Sequence, residues 1–136
     1  MKNIIDNLRS YNFYHNIMTR WKDMDAFRHI NNAIYLTYIE DARTQLFDRW
    51  KINNKERSVI VASIKIDYLK QISHPSKLTI ASKISKIGNS SFDIQSAIFK
   101  NDNKSPSAVS IVTCVCYNYN NNKSIPVYSE IKLDKS

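Results

Sequence analysis

From Asn31 onward, the hydrophobic and polar positions of the chain follow a helical period. Beyond this residue, apolar and aromatic side chains recur every three or four residues, which is the spacing of one face of an α-helix. The positions are Ile34, Tyr35, Tyr38, Ile39, Ala42, Leu46 and Trp50. Either Asn31 or Asn32 can cap the first turn, because an asparagine side chain accepts a hydrogen bond from a free backbone N–H. We expect a helix of about five turns, which Asn53-Asn54 can end.

Four later segments alternate between apolar and polar residues and contain many β-branched side chains, which is typical of β-strands. They are residues 58–70, 77–87, 90–100 and 107–119. The alternation groups the following sets on one face of each strand in turn: Ile60, Ala62, Ile64, Ile66 and Tyr68; Leu78, Ile80, Ser82 and Ile84; Phe92, Ile94 and Ile98; Val109, Ile111, Thr113, Val115 and Tyr117.

The segments before the helix are a short helix or an arm at 3–11, a strand at 14–20 and an ordered loop at 21–30. This order predicts one α+β domain covering residues 1–136, with its core at about 14–119. A curled antiparallel sheet with the single helix packed in its concavity is the natural two-layer solution. Asparagine-rich stretches at 53–54, 101–106 and 118–124 are expected to be loops.

Composition and charge set several classes of protein aside. No stretch approaches the ~18 uninterrupted apolar residues of a membrane helix, and polar residues interrupt the N-terminal segment where a signal peptide would be apolar. The net charge of +8 divides into +3 over residues 1–57 and +5 over the rest. Since it forms no basic block, it disfavours nucleic acid as a partner. It fits either a polyanionic small ligand or a lysine-rich composition with no partner.

The two cysteines, Cys114 and Cys116, are expected to be packing residues of one strand. Residues two apart in a strand face the same way and cannot easily form a disulfide. Free thiols in a chain without a signal peptide indicate the reducing cytoplasm. The three histidines are scattered along the chain, so no metal site is expected.

The candidate chemistry lies between Asp25 and the predicted helix start. A helix N-terminus offers unpaired N–H groups and the positive end of a dipole, which suits an oxyanion such as that formed in acyl transfer. A carboxylate delivered beside it by a loop can act as a general base or as a nucleophile. On the residues alone, the alternative is that Asp25 and Asn31 only cap the loop and the helix.

The segment from Asp25 to Arg43 resembles the signature of the hotdog-fold thioesterases, in the branch of hydroxybenzoyl-CoA thioesterases and acyl-CoA thioester hydrolases. The matching pattern is D-x-x-x-H-x-N-N followed by A-x-Y-L-x-Y-x-E-x-A-R. The order of elements over residues 14–119 is also similar to that of a hotdog domain. The resemblance implies hydrolysis of an acyl-CoA thioester to a carboxylic acid and free coenzyme A, without a metal or organic cofactor.

The resemblance also implies roles for the residues of the motif. Asp25 matches the catalytic carboxylate, which activates water or attacks the thioester carbonyl directly. The backbone N–H of Asn32 matches the oxyanion donor, and His29 and Asn31 match positions that order the loop and line the site. Tyr35 would lie one turn into the helix, near the acyl group.

A second, shorter resemblance lies at the turn between the strands 77–87 and 90–100. Hotdog thioesterases meet the phosphates and pantetheine of coenzyme A at such a turn, which here comprises Lys86, Ile87, Gly88, Asn89, Ser90 and Ser91. Gly88 would allow close approach of the backbone, and Lys86 would supply positive charge. An ordinary hairpin is the alternative.

The chain departs from the family at Arg28, where the usual D-x-x-G-H has glycine. If the loop keeps the family's backbone, Arg28 adopts a conformation that strains it. Either the loop differs, or Arg28 turns outward and binds an anionic group. Asp23 is interpreted as structural, because the family's catalytic position falls on Asp25. Glu40 is expected to form an ion pair with Arg43 on the helix surface.

The resemblance implies a homodimer with two symmetric sites at its interface, or a homotetramer. Edge-to-edge pairing of two small sheets would cover one exposed edge of each. Two other functions stay open: hydrolysis of acyl groups carried by acyl carrier protein, and binding of acyl thioesters without hydrolysis, which the departure at Arg28 favours. No nucleic-acid or membrane partner is expected.

Overall fold

The computed structural model of the chain describes residues 8–101 and 103–135. In these residues an antiparallel sheet wraps one long helix, and a short helix follows near the C-terminus. In chain order the elements are β1 (Phe13–Met18), α1 (Asn32–Arg49), β2 (Ser58–Tyr68), β3 (Lys77–Ile87), β4 (Ser91–Lys100), β5 (Ala108–Asn118), β6 (Lys123–Ser124) and α2 (Ser129–Asp134).

The strands are ordered β1-β3-β4-β5-β2, with β6 added beside the end of β5. The sheet curls into a half-barrel and α1 packs in its concave face. This confirms the predicted α+β architecture and the hotdog fold that the resemblance implied. Since β1 and β2 are the outer strands, the two edges of the main sheet belong to them.

The long helix agrees with its prediction in length and in the face that it buries. It has 18 residues, which is five turns, and the side chain of Asn31 caps it by accepting from the N–H of Ala33 at 2.9 Å. The predicted end at Asn53-Asn54 is wrong. The helix ends at Arg49 because Lys51 takes a left-handed φ of 58° and the Arg57 guanidinium donates to the carbonyls of residues 50 and 51.

The predicted faces of β3 and β4 are confirmed, and those of β5 and β2 need correction. Leu78, Ile80, Ile84, Phe92, Ile94 and Ile98 all belong to the core under α1. On β5 the core residues are Ala108, Val112, Cys114 and Cys116, so the predicted set from Val109 to Tyr117 lies on the outer face. Both faces of β5 are rich in apolar residues, and alternation alone cannot tell which of them faces the helix.

A β-bulge changes the phase of β2 between Val61 and Ser63. As a result, Val59 before the bulge and Ile66 after it both pack against the core, whereas the predicted set assumed one phase throughout. Ile64 is 44% exposed, as expected for an edge strand whose outer side has no neighbour among the described residues.

Both cysteines are packing residues, as predicted. Their side chains are fully buried and their thiols are free. Burial raises the pKa of the Cys114 thiol to about 12, so that thiol stays protonated at neutral pH and is a poor nucleophile.

The N-terminal arm covers the outer face of the sheet, opposite α1. Tyr11 packs there with Ala81, Ala97, Phe99 and Val109. A 3-10 turn at Leu8–Ser10 leads into it, and the remaining part of the predicted segment 3–11 lies outside the described residues.

The C-terminal segment extends the core beyond residue 119. Tyr128 and Ile131 are buried in the cluster under α1, and Asp134 holds the end of that helix. Its carboxylate accepts from Arg49 at 2.7 and 2.9 Å and from the indole N–H of the buried Trp50 at 2.7 Å. With six residues, α2 is too short to produce a helical period in the sequence, which is why it was not predicted.

We expect Asp134→Ala to lower the free energy of unfolding by about 1–3 kcal/mol, because it leaves the buried Trp50 N–H without an acceptor. The hydrogen bonds from Arg49 lower the pKa of Asp134. A depressed folded-state pKa adds stability above the unfolded pKa of about 3.9 that is lost as pH falls. Urea unfolding at pH 6 and pH 3 should therefore show the difference from wild type shrinking at the lower pH. The exposed Asp48→Ala is the matched control and should stay within about 0.5 kcal/mol at both.

Candidate active site

The loop between β1 and α1 is ordered by hydrogen bonds at both of its ends. The N–H of Thr19 donates to the carbonyl of Ser76 at 3.0 Å, and the N–H of Asn31 donates to the carbonyl of Asp23 at 3.0 Å. Isolated bridges join Met24 to Ile30 and His29 to Ser73. The expected ordered loop at 21–30 is confirmed, apart from one 3-10 turn at Trp21–Asp23.

Asp25 lies at the base of a tight turn that its own carboxylate closes. Its Oδ1 accepts from the N–H of Phe27 at 2.8 Å and from the N–H of His29 at 3.1 Å. The side chain is exposed, and its Oδ2 accepts no hydrogen bond from the residues described. The turn thus orients the carboxylate through one oxygen and leaves the other open to solvent.

The first residue of α1, Asn32, presents an open backbone N–H. The N–H of Ala33 donates to the side chain of Asn31 and that of Ile34 to its carbonyl at 2.8 Å. The N–H of Asn32 finds no acceptor within residues 8–101 and 103–135. Since the helix dipole places partial positive charge at this end, the group can stabilise an anion.

Asp23, in contrast, points into the protein and is 1% exposed. Its carboxylate accepts from the Tyr38 hydroxyl at 2.6 Å and from the Arg20 guanidinium at 2.9 Å. Burial opposes its ionisation, but the hydrogen bonds from Arg20 and Tyr38 outweigh burial and lower the pKa of Asp23. This geometry supports the structural interpretation of Asp23.

The sequence did not predict that Arg20 and Tyr38 bind Asp23, and Tyr38 was expected only as a core residue. A tyrosine on the buried face of a helix needs a partner for its hydroxyl. That requirement is a signal that could have pointed to a nearby acceptor, although not to which one.

Tyr35 is buried one turn into α1, as expected, but its hydroxyl is already engaged. It donates to the carbonyl of Lys70 at 3.2 Å and accepts from the N–H of Ile72 at 3.1 Å. The neighbouring Tyr68, whose ring lies 5.0 Å away, donates to the carbonyl of Asn32 at 2.9 Å. These contacts fix the helix start against the end of β2; an approach of Tyr35 to an acyl group stays a prediction.

The segment Lys86–Ser91 forms the turn between β3 and β4. The N–H of Gly88 donates to the carbonyl of Ser91 at 2.7 Å, and a Cβ on Gly88 would lie 2.8 Å from the Ser91 hydroxyl. The carbonyls of Asn89 and Ser90 accept from the N–H groups of residues 127 and 116. Glycine therefore serves a close approach within the turn itself, and the approach of coenzyme A to Gly88 stays a prediction.

This turn and Asp25 lie at opposite ends of the sheet. Strand β3 begins beside the Asp25 loop, runs for 11 residues and ends at the turn, a length of roughly 35 Å. Likewise α1 starts beside Tyr68 and ends with Trp50 against Phe92, at 5.8 Å between ring centroids. One protomer does not bring the two predicted parts of the site together.

Arg28 has a left-handed φ of 66° and is exposed. The loop therefore keeps a conformation that suits glycine, and the arginine side chain turns outward. A non-glycine residue in this region carries strain of order 1 kcal/mol.

Neither a metal centre nor a membrane-spanning helix is present in the described part of the chain. Its residues contain no group of three or more His, Cys, Asp or Glu side chains placed to hold a metal ion. None of its helices is both long enough and apolar enough to span a bilayer.

Comparison with protein families and curated sequences gives consistent matches. A model of the thioesterase-like superfamily matches residues 19–133. The chain is 32% identical to the uncharacterized protein YsmA of Bacillus subtilis (strain 168) over 87 residues, which is 62% of this chain and only 59% of YsmA. It is 25% identical to the long-chain acyl-CoA thioesterase FadM of Escherichia coli (strain K12) over 121 residues, covering 85% of this chain and 91% of FadM.

Two solved structures illustrate the likeness of fold. The PA5185 protein from Pseudomonas aeruginosa strain PAO1 superposes with a TM-score of 0.87 at 22% identity, covering 97% of both chains. A thioesterase from Thermus thermophilus, solved with coenzyme A and Zn, gives a TM-score of 0.78 at 23% identity, covering 91% of this chain and 97% of that one.

We expect Arg28→Gly to raise the free energy of unfolding or leave it level, with a gain of at most about 1 kcal/mol, because relief of strain opposes the extra unfolded-state entropy of glycine. Arg28→Ala is the control, since it removes the same charge and keeps a Cβ at positive φ. Thermal melts in which glycine is clearly less stable than alanine would contradict the presence of strain at this residue.

Proposed function

The chain belongs to the thioesterase-like superfamily, and we propose that it hydrolyses an acyl-CoA thioester to a carboxylic acid and free coenzyme A. One observation carries the proposal: Asp25 holds an open carboxylate oxygen in a loop that leads directly into the open N–H of Asn32. The likeness to FadM and to a thioesterase that binds coenzyme A supports this substrate class.

In the proposed reaction the thioester carbonyl oxygen points at the N–H of Asn32, where the helix dipole and that N–H stabilise the oxyanion. Asn31 contributes by capping the next two N–H groups, which leaves this one available. His29, half-buried beside the turn, borders the reacting group.

Asp25 can act by either of two routes. As a general base, its Oδ2 takes a proton from water, the hydroxide adds to the carbonyl, and the coenzyme A thiolate leaves. As a nucleophile, Oδ2 attacks the carbonyl and expels the thiolate, and water then hydrolyses the acyl anhydride. In both routes the thiolate is finally protonated, and the two N–H groups on Oδ1 hold the carboxylate in place.

We also propose a homodimer paired through the β2 edges. The exposed edge carries Val61 and Ile64, and an antiparallel pair centred near Ser63 would cover it. Such pairing sets the Tyr68 end of one strand against the Ser58 end of the other. It therefore places Asp25 of one protomer at the same end as the Lys86–Ser91 turn of its partner. A homotetramer built from two such dimers is the larger alternative.

Two alternatives to this function stay in view. The donor can be acyl carrier protein instead of coenzyme A, which comparison of hydrolysis rates on the two carriers would decide. The protein can also bind acyl thioesters without hydrolysing them, an idea that rests on Arg28 alone. We also propose a cytoplasmic location, which the free thiols of Cys114 and Cys116 support.

We expect Asp25→Asn to lower kcat for acyl-CoA hydrolysis by at least ~10²-fold with the fold intact, because the substitution removes the base or nucleophile. Release of free thiol measures the rate. Asp23→Asn is the comparison and should reduce stability more than kcat. Equal losses of kcat in the two variants, or a loss in Asp23→Asn alone, would show that Asp25 is misassigned.

We expect Lys86→Ala to raise KM for acyl-CoA roughly five-fold, the effect of losing about 1 kcal/mol from an exposed charge-assisted contact. The same KM should rise with salt, since exposed charges are screened within about 10 Å at 0.1 M. Lys132→Ala, an equal loss of charge on α2, should leave KM unchanged. If Lys86→Ala leaves KM unchanged, the phosphates of coenzyme A do not bind at this turn.

A further inference from the structure

The loop between β1 and α1 carries large apolar side chains that face solvent. Phe27 is 80% exposed in the turn that Asp25 closes, and Trp21 is 73% exposed in the 3-10 turn near the start of the loop. Met18, at the end of β1, is 62% exposed. Side chains of these types are mostly buried in folded proteins, and exposed apolar side chains grouped in one region mark an interaction surface. We call Met18, Trp21 and Phe27 the apolar tips.

The surrounding structure holds the two aromatic tips at the same end of the molecule. The ring of Trp21 stands edge-on to that of His74, at 6.5 Å between ring centroids. The adjacent residue, Ser73, forms a bridge with His29, which belongs to the same turn as Phe27. Both aromatic side chains therefore project from tight turns that lie beside the segment after β2.

Each of the apolar tips has an exposed basic residue next to it. None of these three basic side chains forms an ion pair within residues 8–101 and 103–135, so their charges are available to a partner. They are Lys22, which follows Trp21; Arg28, which follows Phe27; and Lys77, which pairs with Met18 between β3 and β1.

The acidic residues of the loop do not cancel this positive charge. The carboxylate of Asp23 is buried and accepts from the Arg20 guanidinium at 2.9 Å, so these two charges balance each other. Asp25 is the exposed acidic residue of the loop, and it stands against three exposed basic ones. The surface around the apolar tips is therefore positively charged.

Apolar side chains interspersed with available basic ones fit the surface of an anionic bilayer. Lipid headgroups offer phosphate to lysine and arginine, and tryptophan and phenylalanine insert at the boundary between headgroups and acyl chains. A bilayer is fluid and accepts side chains that project from turns. A protein partner would instead need a well-packed pocket for each tip.

Two other partners fit this surface less well. Nucleic acid is disfavoured because Met18 has no ring to stack on a base and the basic residues form no continuous track. A second copy of the chain, paired as proposed, leaves part of the surface uncovered. Since β1 and β2 are the opposite edges of the main sheet, pairing through β2 does not reach Met18 or Trp21.

We propose that the protein docks on anionic phospholipid bilayers by inserting Trp21 and Phe27, with Lys22, Arg28 and Lys77 on the lipid phosphates. No membrane partner was expected from the sequence, which lacks a long apolar segment, but a peripheral contact needs none.

Docking in this way has a consequence for the substrate, which rests on the proposed function. Asp25 and Phe27 belong to one turn, so insertion of Phe27 places the open carboxylate oxygen of Asp25 at the bilayer surface. A long-chain acyl-CoA whose acyl chain lies in the bilayer then presents its thioester beside Asp25.

Cosedimentation with lipid vesicles tests the docking. The protein should bind vesicles of equimolar phosphatidylglycerol and phosphatidylcholine, and salt should weaken this binding because it screens exposed charges. Trp21→Ser/Phe27→Ser and Lys22→Gln/Arg28→Gln/Lys77→Gln should each lower the affinity at least ~10-fold. Equal binding of wild type to vesicles of phosphatidylcholine alone would overturn the proposal.

Matched control variants come from the opposite end of the molecule. Leu133→Ser removes an exposed apolar side chain from α2, and Lys123→Gln/Lys132→Gln/Lys135→Gln removes the same amount of charge as the triple variant of the tips. Both controls should bind the vesicles like wild type. Losses as large as those in the tip variants would show that the apolar tips have no special role, and would overturn the proposal.

Tryptophan fluorescence tests the insertion itself. The chain has two tryptophans; Trp50 is fully buried and Trp21 is exposed, so a spectral change on adding vesicles reports on Trp21. Its emission should shift to shorter wavelength, and lipids brominated on their acyl chains should quench it. Phe27→Ser keeps both tryptophans and should reduce the shift. An unchanged, unquenched spectrum in vesicle-bound protein would overturn the insertion.

Sedimentation velocity without lipid tests the rival occupant, a second copy of the chain. Wild type and Trp21→Ser/Phe27→Ser should have the same mass in solution. If the variant dissociates while the wild type does not, the aromatic tips belong to a contact between copies, and the proposal is overturned.

Hydrolysis assays separate this inference from the proposed function. On vesicles loaded with a long-chain acyl-CoA, Met18→Ser/Trp21→Ser should lose at least ~10-fold in kcat/KM, while a short-chain acyl-CoA in solution is hydrolysed at the wild-type rate. Equal losses on both substrates would contradict delivery from the bilayer. Vesicle binding that depends on the tips in a protein without hydrolytic activity would support docking and refute the hydrolase. Hydrolysis without vesicle binding would do the reverse.

Discussion

The buried carboxylate of Asp23 ties the loop that carries the candidate chemistry to the helix that closes the core. A charge in this environment is tolerated only if its oxygens are fully hydrogen-bonded, and Tyr38 on α1 and Arg20 at the loop entrance meet that need. The carbonyl of the same residue accepts from Asn31, the cap of the helix. One residue thus sets where the loop leaves β1 and where α1 begins. The exposed oxygen of Asp25 and the open N–H of Asn32 depend on that framework, and neither is part of it.

The two ends of α1 are held in place by different sets of contacts. At the C-terminal end of α1, Asp134 and Glu130 of α2 hold Trp50, Arg49 and Arg57 through exposed and partly buried hydrogen bonds. At the N-terminal end the buried carboxylate of Asp23 binds Tyr38, the carboxylate of Asp25 closes its turn, and the same loop includes a strained Arg28. Strain persists only where the surrounding structure determines the conformation. Here the bridge from His29 to Ser73, in the segment after β2, and the hydrogen bond from the N–H of Ile30 to the carbonyl of Ile72 supply that constraint.

The length of the sheet explains why one protomer holds only part of the proposed binding site. A strand of 11 residues carries its two ends farther apart than a pantetheine arm can reach. A two-fold axis across an antiparallel edge exchanges the two ends of the sheet, so the proposed pairing through β2 would bring to each Asp25 the turn that its own chain holds at the other end. The same edge leaves apolar side chains exposed in the isolated protomer, and the proposed pairing would cover them.

The sequence by itself determined the features that depend on local order. The helical period and the cap at Asn31, the strands β3 and β4 with their inner faces, and the packing role of both cysteines all follow from spacings within a few residues. The motif from Asp25 to Arg43 indicated the family for the same reason. Only the tertiary structure decided which face of β5 meets the helix, where β2 changes phase, that Asp23 is bound by Tyr38 and Arg20, and that Lys86 lies far from Asp25 in one chain. Each of these depends on contacts between segments distant in sequence, and periodicity specifies which residues share a face but not what lies against it.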